Sequence, residues 1–253
     1  ICHIFEAGIK TATPTGSGPY VYVYNFPYSG TSVNTIKTYT IETGSATITG
    51  DAREMEYSFV EDFEISGKFG EAWMMKANWV GRQQSAPITM TAGLTAPTVE
   101  AAIFQKTALT IDATGGTIST TAKAGVLVEA SIKVKTGLVI VPVANGQLYF
   151  HATKWTQPEI TFSLKVELED TVGLVTAERA FHKSNTVRLF GLSCAGSGTS
   201  IFNQQFAGKY DKISDYENSD GNTTVTFEGH VVASAADSIS YTATVTNSLA
   251  AVP

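Results

Sequence analysis

Residues 56–82 read EYSFVEDFEISGKFGEAWMMKANWVGR, and this stretch decides the fold class. Tyr57, Phe59, Phe63 and Ile65 share one parity, with Ser58, Asp62, Glu64 and Ser66 on the other. Past Ser66-Gly67-Lys68-Phe69-Gly70, the residues Trp73, Met75, Ala77 and Trp79 alternate with Met74, Lys76, Asn78 and Val80. A period of two is the mark of a strand with one face buried and one face wet. The glycines between the runs allow positive φ, so the backbone can turn back on itself. The stretch predicts a β-hairpin whose polar face is acidic at Asp62 and Glu64.

Downstream the same period recurs. Glu159–Glu169 places Ile160, Phe162, Leu164, Val166 and Leu168 on one face, with Thr161, Ser163, Lys165, Glu167 and Glu169 on the other. Val126–Val134 alternates likewise, with Glu129, Lys133 and Lys135 outward. Leu138–Val143 and Leu148–Trp155 flank the turn pair Asn145-Gly146, a hairpin signal. Further strands are expected over Leu109–Asp112, Thr186–Cys194, Ile201–Ile213, Lys209–Tyr216, Val225–Ala233 and Ile239–Val245. The last hairpin echoes the first, each closing on an aromatic-x-Gly triplet, Trp79-Val80-Gly81 and Phe227-Glu228-Gly229. Helical spacing predicts short helices only at Thr98–Lys106 and at Thr176–Ser184, with Thr176 as N-cap. The fold class is all-β with one or two short helices.

At 253 residues the chain fits one large β domain or two small ones. A hydrophobic content of 43% supports a core, and the 16% of charged residues argues against a disordered chain. The formal net charge of −6 disfavours affinity for nucleic acid, which comes from Lys and Arg displacing counterions. Cys2 and Cys194 lack CxxC or zinc spacing and read as free thiols in a reducing compartment. There is no signal peptide and no apolar run long enough to span a bilayer, so no membrane role is expected. The chain opens at Ile1, so residues preceding it are expected.

No catalytic, cofactor or metal site emerges from the residues. His3, His151, His182 and His230 are scattered without ligand spacing. Gly191-Leu192-Ser193-Cys194-Ala195 departs from a nucleophile elbow at its last position, and no helix follows. Asp215–Gly221 is rich in oxygen but fails the register of a calcium loop at Tyr216. The expectation is a non-enzyme with no cofactor.

Two surfaces stand out instead. Tyr20, Tyr22, Tyr24, Phe26 and Tyr28 lie on one parity of an extended segment, suited to a flat sugar, to a partner or to internal packing. The long connection that follows the first hairpin, with Gln83, Pro87, Ile88, Met90 and Leu94, exceeds what a simple link needs, and such loops on β scaffolds are usually functional or disordered.

The segment Met55–Thr98 resembles the major tail tube protein of long-tailed bacteriophages. GGTI at Gly115–Ile118, SIKVKTG at Ser131–Gly137, NGQLYF at Asn145–Phe150 and the ending VTNSLAAVP at Val245–Pro253 follow in the same order. The resemblance covers roughly residues 55–253; residues 1–54 read as an N-terminal arm or decorated β segment. It implies a β-sandwich-like or partial-barrel subunit that completes a lumenal β-barrel when six copies form a ring. Rings would stack into a tube in the virion tail, assembled in the host bacterial cytoplasm. Implied partners are further copies of the chain, a tape measure protein in the lumen during assembly, tail terminator and tail tip proteins, and double-stranded DNA in transit without sequence preference. In this reading the loop at 83–108 reaches the next ring. Six copies would carry about −36 of formal charge per ring, and Glu61, Asp62, Glu64, Glu167 and Glu169 are the candidates for a lumen that repels phosphate. The competing expectation is a carbohydrate-binding β-sandwich that uses the tyrosine stripe.

Overall fold

The computed structural model describes residues 1–29, 32–45, 47–85, 87–93, 100–144, 146–150, 152–168, 173–196, 200–219 and 221–252. A short helix α1 (Cys2–Gly8) precedes β1 (Tyr20–Asn25), β2 (Tyr39–Thr43), β3 (Arg53–Lys68), β4 (Met74–Val80) and β5 (Gln83–Gln84). Then come β6 (Thr107–Ala113), β7 (Ala122–Lys123), β8 (Leu127–Lys135), β9 (Leu138–Val141), β10 (Ala152–Trp155) and β11 (Glu159–Glu167). Helix α2 (Leu174–Lys183) leads into β12 (Arg188–Ala195), β13 (Ile201–Ile213), β14 (Glu217–Ser219), β15 (Asn222–Val231) and β16 (Tyr241–Asn247). The protein is all-β, as the two-residue periods require.

One large antiparallel sheet runs β4–β3–β8–β11–β15–β13–β12–β6–β7, with β16 and then β1 attached to the first half of β13. β13 is the corner. Its residues Ile201–Phe206 pair with β16, and a bulge at Asp211 accompanies the pairing of its second half with β15. Bulges bend and twist a strand, which lets one strand serve two layers. The sheet consequently curls onto itself. Phe162 on β11 lies 4.9 Å from Phe190 on β12 and 5.1 Å from Phe206 on β13, ring centre to ring centre, although β15 and β13 separate β11 from β12 in the sheet. Gly229, directly opposite Phe162, and Gly208 make this possible, because a Cβ at either would run into the Phe162 ring.

The central hairpin forms as β3 and β4, and Trp73, Met75, Ala77 and Trp79 all pack on the main core. Its first strand differs from simple alternation. Glu61 is an extra residue between Val60↔Trp79 and Asp62↔Asn78, so the parity flips there. Val60 rather than Phe59 joins Phe63 and Ile65 in the main core, while Phe59 packs on the opposite side with Leu138 and Phe150. The echo between the two hairpins does not share a register. The first bulge sits at the aromatic of Trp79-Val80-Gly81, the second at the glycine of Phe227-Glu228-Gly229.

Three expectations need correction. The helix expected at Thr98–Lys106 is only a 3₁₀ turn at Phe104–Lys106 within the described residues; the Trp73 N–H donates to Ala102 O and the Phe104 N–H to Glu71 O, which hold the chain against the hairpin. Helix α2 starts at Leu174 with Gly173 as N-cap, three residues before the expected N-cap Thr176. The β9–β10 ladder pairs Val141 with Ala152, so Leu148 lies outside it and is fully exposed.

The first part of the segment expected as an N-terminal arm or decorated β segment packs into the main core. Phe5, Ala7 and Ile9 near α1 and Tyr22, Tyr24 and Phe26 on β1 are buried in the same core as Phe63 and Phe202. Phe5 meets Tyr24 at 5.2 Å and Phe63 at 5.6 Å. A helix of seven residues with no side-chain cap leaves too short a period to read from sequence.

Candidate functional site

The exposed face of β4, β3, β8 and β11 gathers most of the predicted acidic residues. In register across the strands lie Lys76–Glu64–Lys133 and, two residues along, Asn78–Asp62–Lys135–Glu159. Lys135 Nζ donates to Glu159 Oε2 at 2.8 Å, Ser131 Oγ donates to Glu64 Oε1 at 2.9 Å, and Lys133 Nζ stands 3.8 Å from the same Glu64 oxygen. Asn78 Nδ2 donates to both Asp62 oxygens, at 2.8 and 3.0 Å. These are cross-strand pairs of the kind that hold register on a polar sheet face. The hydrogen bond and charge of Lys135 hold the Glu159 carboxyl below its usual range, and Glu159 raises Lys135 in return.

Beside this ladder a cleft of about 550 Å³ is lined by Glu61, Asp62, Glu64, Lys133, Lys135 and Glu159 among others. Glu61 is exposed because it is the bulged residue. Glu167 ends β11 on the same parity as Glu159, and Glu169 lies outside the described residues. Of the predicted acids, Glu61, Asp62 and Glu64 lie together with lysines interleaved, while Glu167 stands at the far end of β11 opposite Thr224. The face is a ladder of both signs, not an acidic lining, because antiparallel pairing sets β8 Lys133 and Lys135 directly opposite Glu64 and Asp62.

The described part of the predicted loop folds back on its own chain. Gln83 and Gln84 form β5 against Glu56 and Met55, Ile88 bridges to Ala52, and Thr91 donates to Glu42 through its N–H at 2.9 Å and its hydroxyl at 2.5 Å. These hydrogen bonds hold the Glu42 carboxyl below its usual range. Pro87 is exposed, Ile88 and Met90 are half-buried, and Leu94 lies outside the described residues. With β2 and the first residues of β3, the loop makes a three-stranded finger that includes the described residues of 41–56 and 83–93. None of its described residues belongs to a hydrophobic core cluster. Ile48, in the stretch joining β2 to β3, is 61% exposed.

The middle of the tyrosine stripe is internal packing. Tyr22 and Tyr24 are buried and stack on each other at 6.5 Å, and the Tyr22 hydroxyl donates to Leu249 O at 2.7 Å. Tyr20 is half-buried, and Tyr28 is the exposed member. The alternation of β1 was legible; which layer its aromatic face meets was not.

Among the described residues no group of three or more His, Cys, Asp or Glu is placed to hold a metal, and no helix is long and apolar enough to cross a membrane. Cys2 and Cys194 are free and buried, and burial raises both thiols above their usual range. No protein-family model matches this chain, and no curated protein matches it.

Proposed function

We propose that the chain is a virion structural protein, a tail tube subunit that joins copies of itself into rings and the rings into a tube. The observation that carries this reading is the free edge of β4. Among the described residues this seven-residue strand pairs with β3 on one side only, and it presents Met74, 58% exposed, at one end of the large curled sheet. An open strand edge invites pairing with another chain, and ring closure is the arrangement that removes every edge at once. The finger, none of whose described residues belongs to a hydrophobic core cluster, supplies a second contact suited to a neighbouring ring. The ordered resemblance of residues 55–253 points the same way.

In this reading the tape measure protein, tail terminator and tail tip proteins are partners during assembly, and double-stranded DNA passes without sequence preference. The ladder on β3, β8 and β11 is a weak source of repulsion towards phosphate because its carboxylates face lysines. The burial of Tyr22 and Tyr24 gives the glycan-binding alternative less support than the tube reading.

Negative-stain electron microscopy and sedimentation across a concentration series test the reading. Rings or hollow tubes of uniform diameter are expected. Monomers at every concentration, including after seeding with preformed tail tips, would sink it.

A further inference from the structure

The finger meets the body along one line, and the regular ladder of all three strands is interrupted there. In β2 the register against β3 shifts between Tyr39↔Ser58 and Ile41↔Met55. In β3 the residue at that level is Tyr57, with φ of +51°. On the third strand, β4 ends at Val80 and β5 begins at Gln83, so Gly81 and Arg82 lie outside both. A bulky aromatic side chain in the left-handed region is strained and persists only where its surroundings hold it.

Either side of the line is well tied. On the body side, the Tyr39 hydroxyl donates to buried Glu6 at 2.6 Å and its ring meets Trp79 at 6.0 Å, while Ser58 is fully buried. On the finger side, Glu54 and Ser85 exchange hydrogen bonds, the Ile88 N–H donates to Ala52 O at 2.8 Å, and Thr91 clasps Glu42. Across the line stands Arg82. Its guanidinium lies 5.5 Å from the centre of the Tyr57 ring and 4.7 Å from that of Tyr149, and its Nε donates to Phe150 O at 3.1 Å. Gly81 leaves room there for the Met55 side chain, which a Cβ would strike.

We propose that the finger is a rigid unit hinged on the body at Tyr57, and that Arg82 is the latch that holds it in its present orientation. The strain at Tyr57 favours release, and the cation–π contacts and the bond to Phe150 oppose it. Hinges are commonly a few element-terminal residues that absorb a φ/ψ change, as residues 57 and 81–82 are placed to do. The inference concerns the isolated chain and stands apart from tube assembly.

The test places spin labels on the full chain at Thr49→Cys in the finger and Thr161→Cys on β11, both exposed; Cys2 and Cys194 are buried and stay unlabelled. Distances between the labels are measured with and without Arg82→Ala, beside hydrogen exchange of the same proteins. The latched chain is expected to give one narrow distance. Arg82→Ala is expected to broaden it, with amides at the joint exchanging about tenfold faster while those between Ala52 and Ile88 and those of β11 keep their protection. Gly81→Ala, which displaces Met55, is expected to broaden the distance as well. An unchanged distribution in both variants would overturn the proposal. So would loss of protection throughout the finger, which means melting instead of pivoting.

Discussion

Arg188 on β12 grips Glu178 of α2 through two parallel hydrogen bonds of 3.0 Å, Nε to Oε2 and Nη2 to Oε1. Both side chains are buried, the Tyr210 hydroxyl donates to Glu178 Oε2 at 2.9 Å, and the guanidinium lies over the Phe181 ring at 4.0 Å. Burial first, then the Glu178 charge, pushes the Tyr210 hydroxyl well above its ordinary pKa, so it remains a donor. The ion pair fastens the second helix to β12, and the Tyr210 hydroxyl ties it to the corner strand β13. Removing one partner strands the other charge in the interior, so Arg188→Ala or Glu178→Ala should each lower unfolding free energy by roughly 3–5 kcal/mol. The double replacement Arg188→Met with Glu178→Leu should cost far less. Urea titration of all three variants decides it; a double variant as unstable as the sum of the singles would refute the account.

Phe162 lies across Gly208 and Gly229 to reach the far layer, so its loss opens a cavity where the sheet curls. Phe162→Ala should cost about 3–5 kcal/mol. Gly229→Ala should also be strongly destabilising, since the new methyl meets Lys209 O and the Phe162 ring. Thermal unfolding of both variants is the check; a Gly229→Ala melting point within error of the parent would contradict this packing.

Asp112 accepts hydrogen bonds from the Thr121 N–H at 2.8 Å, the Thr120 N–H at 3.1 Å and the Thr120 hydroxyl at 2.7 Å. Burial alone would raise its carboxyl, but these donors outweigh it and hold the group below its usual range. A carboxyl depressed in the folded state stabilises fully above its unfolded pKa of about 3.9, and that contribution is lost as pH falls through the folded value. Asp112→Asn should therefore be less stable than the parent at pH 7, and the gap should narrow on acidification below about pH 4. A gap that is constant across pH would show that the carboxylate charge does not matter.

The two stacked tyrosines of β1 should respond differently to loss of the hydroxyl. Tyr22→Phe removes the bond to Leu249 O and should cost about 0.5–1.5 kcal/mol. The Tyr24 hydroxyl is buried with only the Cys2 thiol, a weak partner, beside it, so Tyr24→Phe should cost less than Tyr22→Phe and be close to neutral. Chemical denaturation separates them, and equal losses would disprove the assignment.

On the free edge, Met74→Lys should leave the melting point of the monomer within a few degrees while lowering the sedimentation coefficient of any assembly, because charge on an edge strand blocks pairing. Unaltered assembly would exclude β4 as the joining edge.

What the sequence alone determined is the strand content and, for most strands, which side chains face inward. Alternation is a local property, so β4, β8, β11 and β16 could be read from Met75, Ile132, Phe162 and Tyr241 and their neighbours two residues away. The same local signal named the acids of β3. It missed the parity flip at Glu61, since a bulge exists only relative to a partner strand. It also could not show that Lys133 and Lys135 stand opposite Glu64 and Asp62, which turns an acidic stripe into a ladder of both signs. The tyrosine stripe is the same case: its periodicity is correct, but whether an aromatic face meets solvent or Phe5 depends on a helix far too short to announce itself. Tertiary structure alone gathers the loop after β4 and the strands before Glu56 into one finger, because their hydrogen bonds join residues about thirty to fifty positions apart. Sequence periodicity records the face a residue turns inward; only the folded chain decides what that face meets.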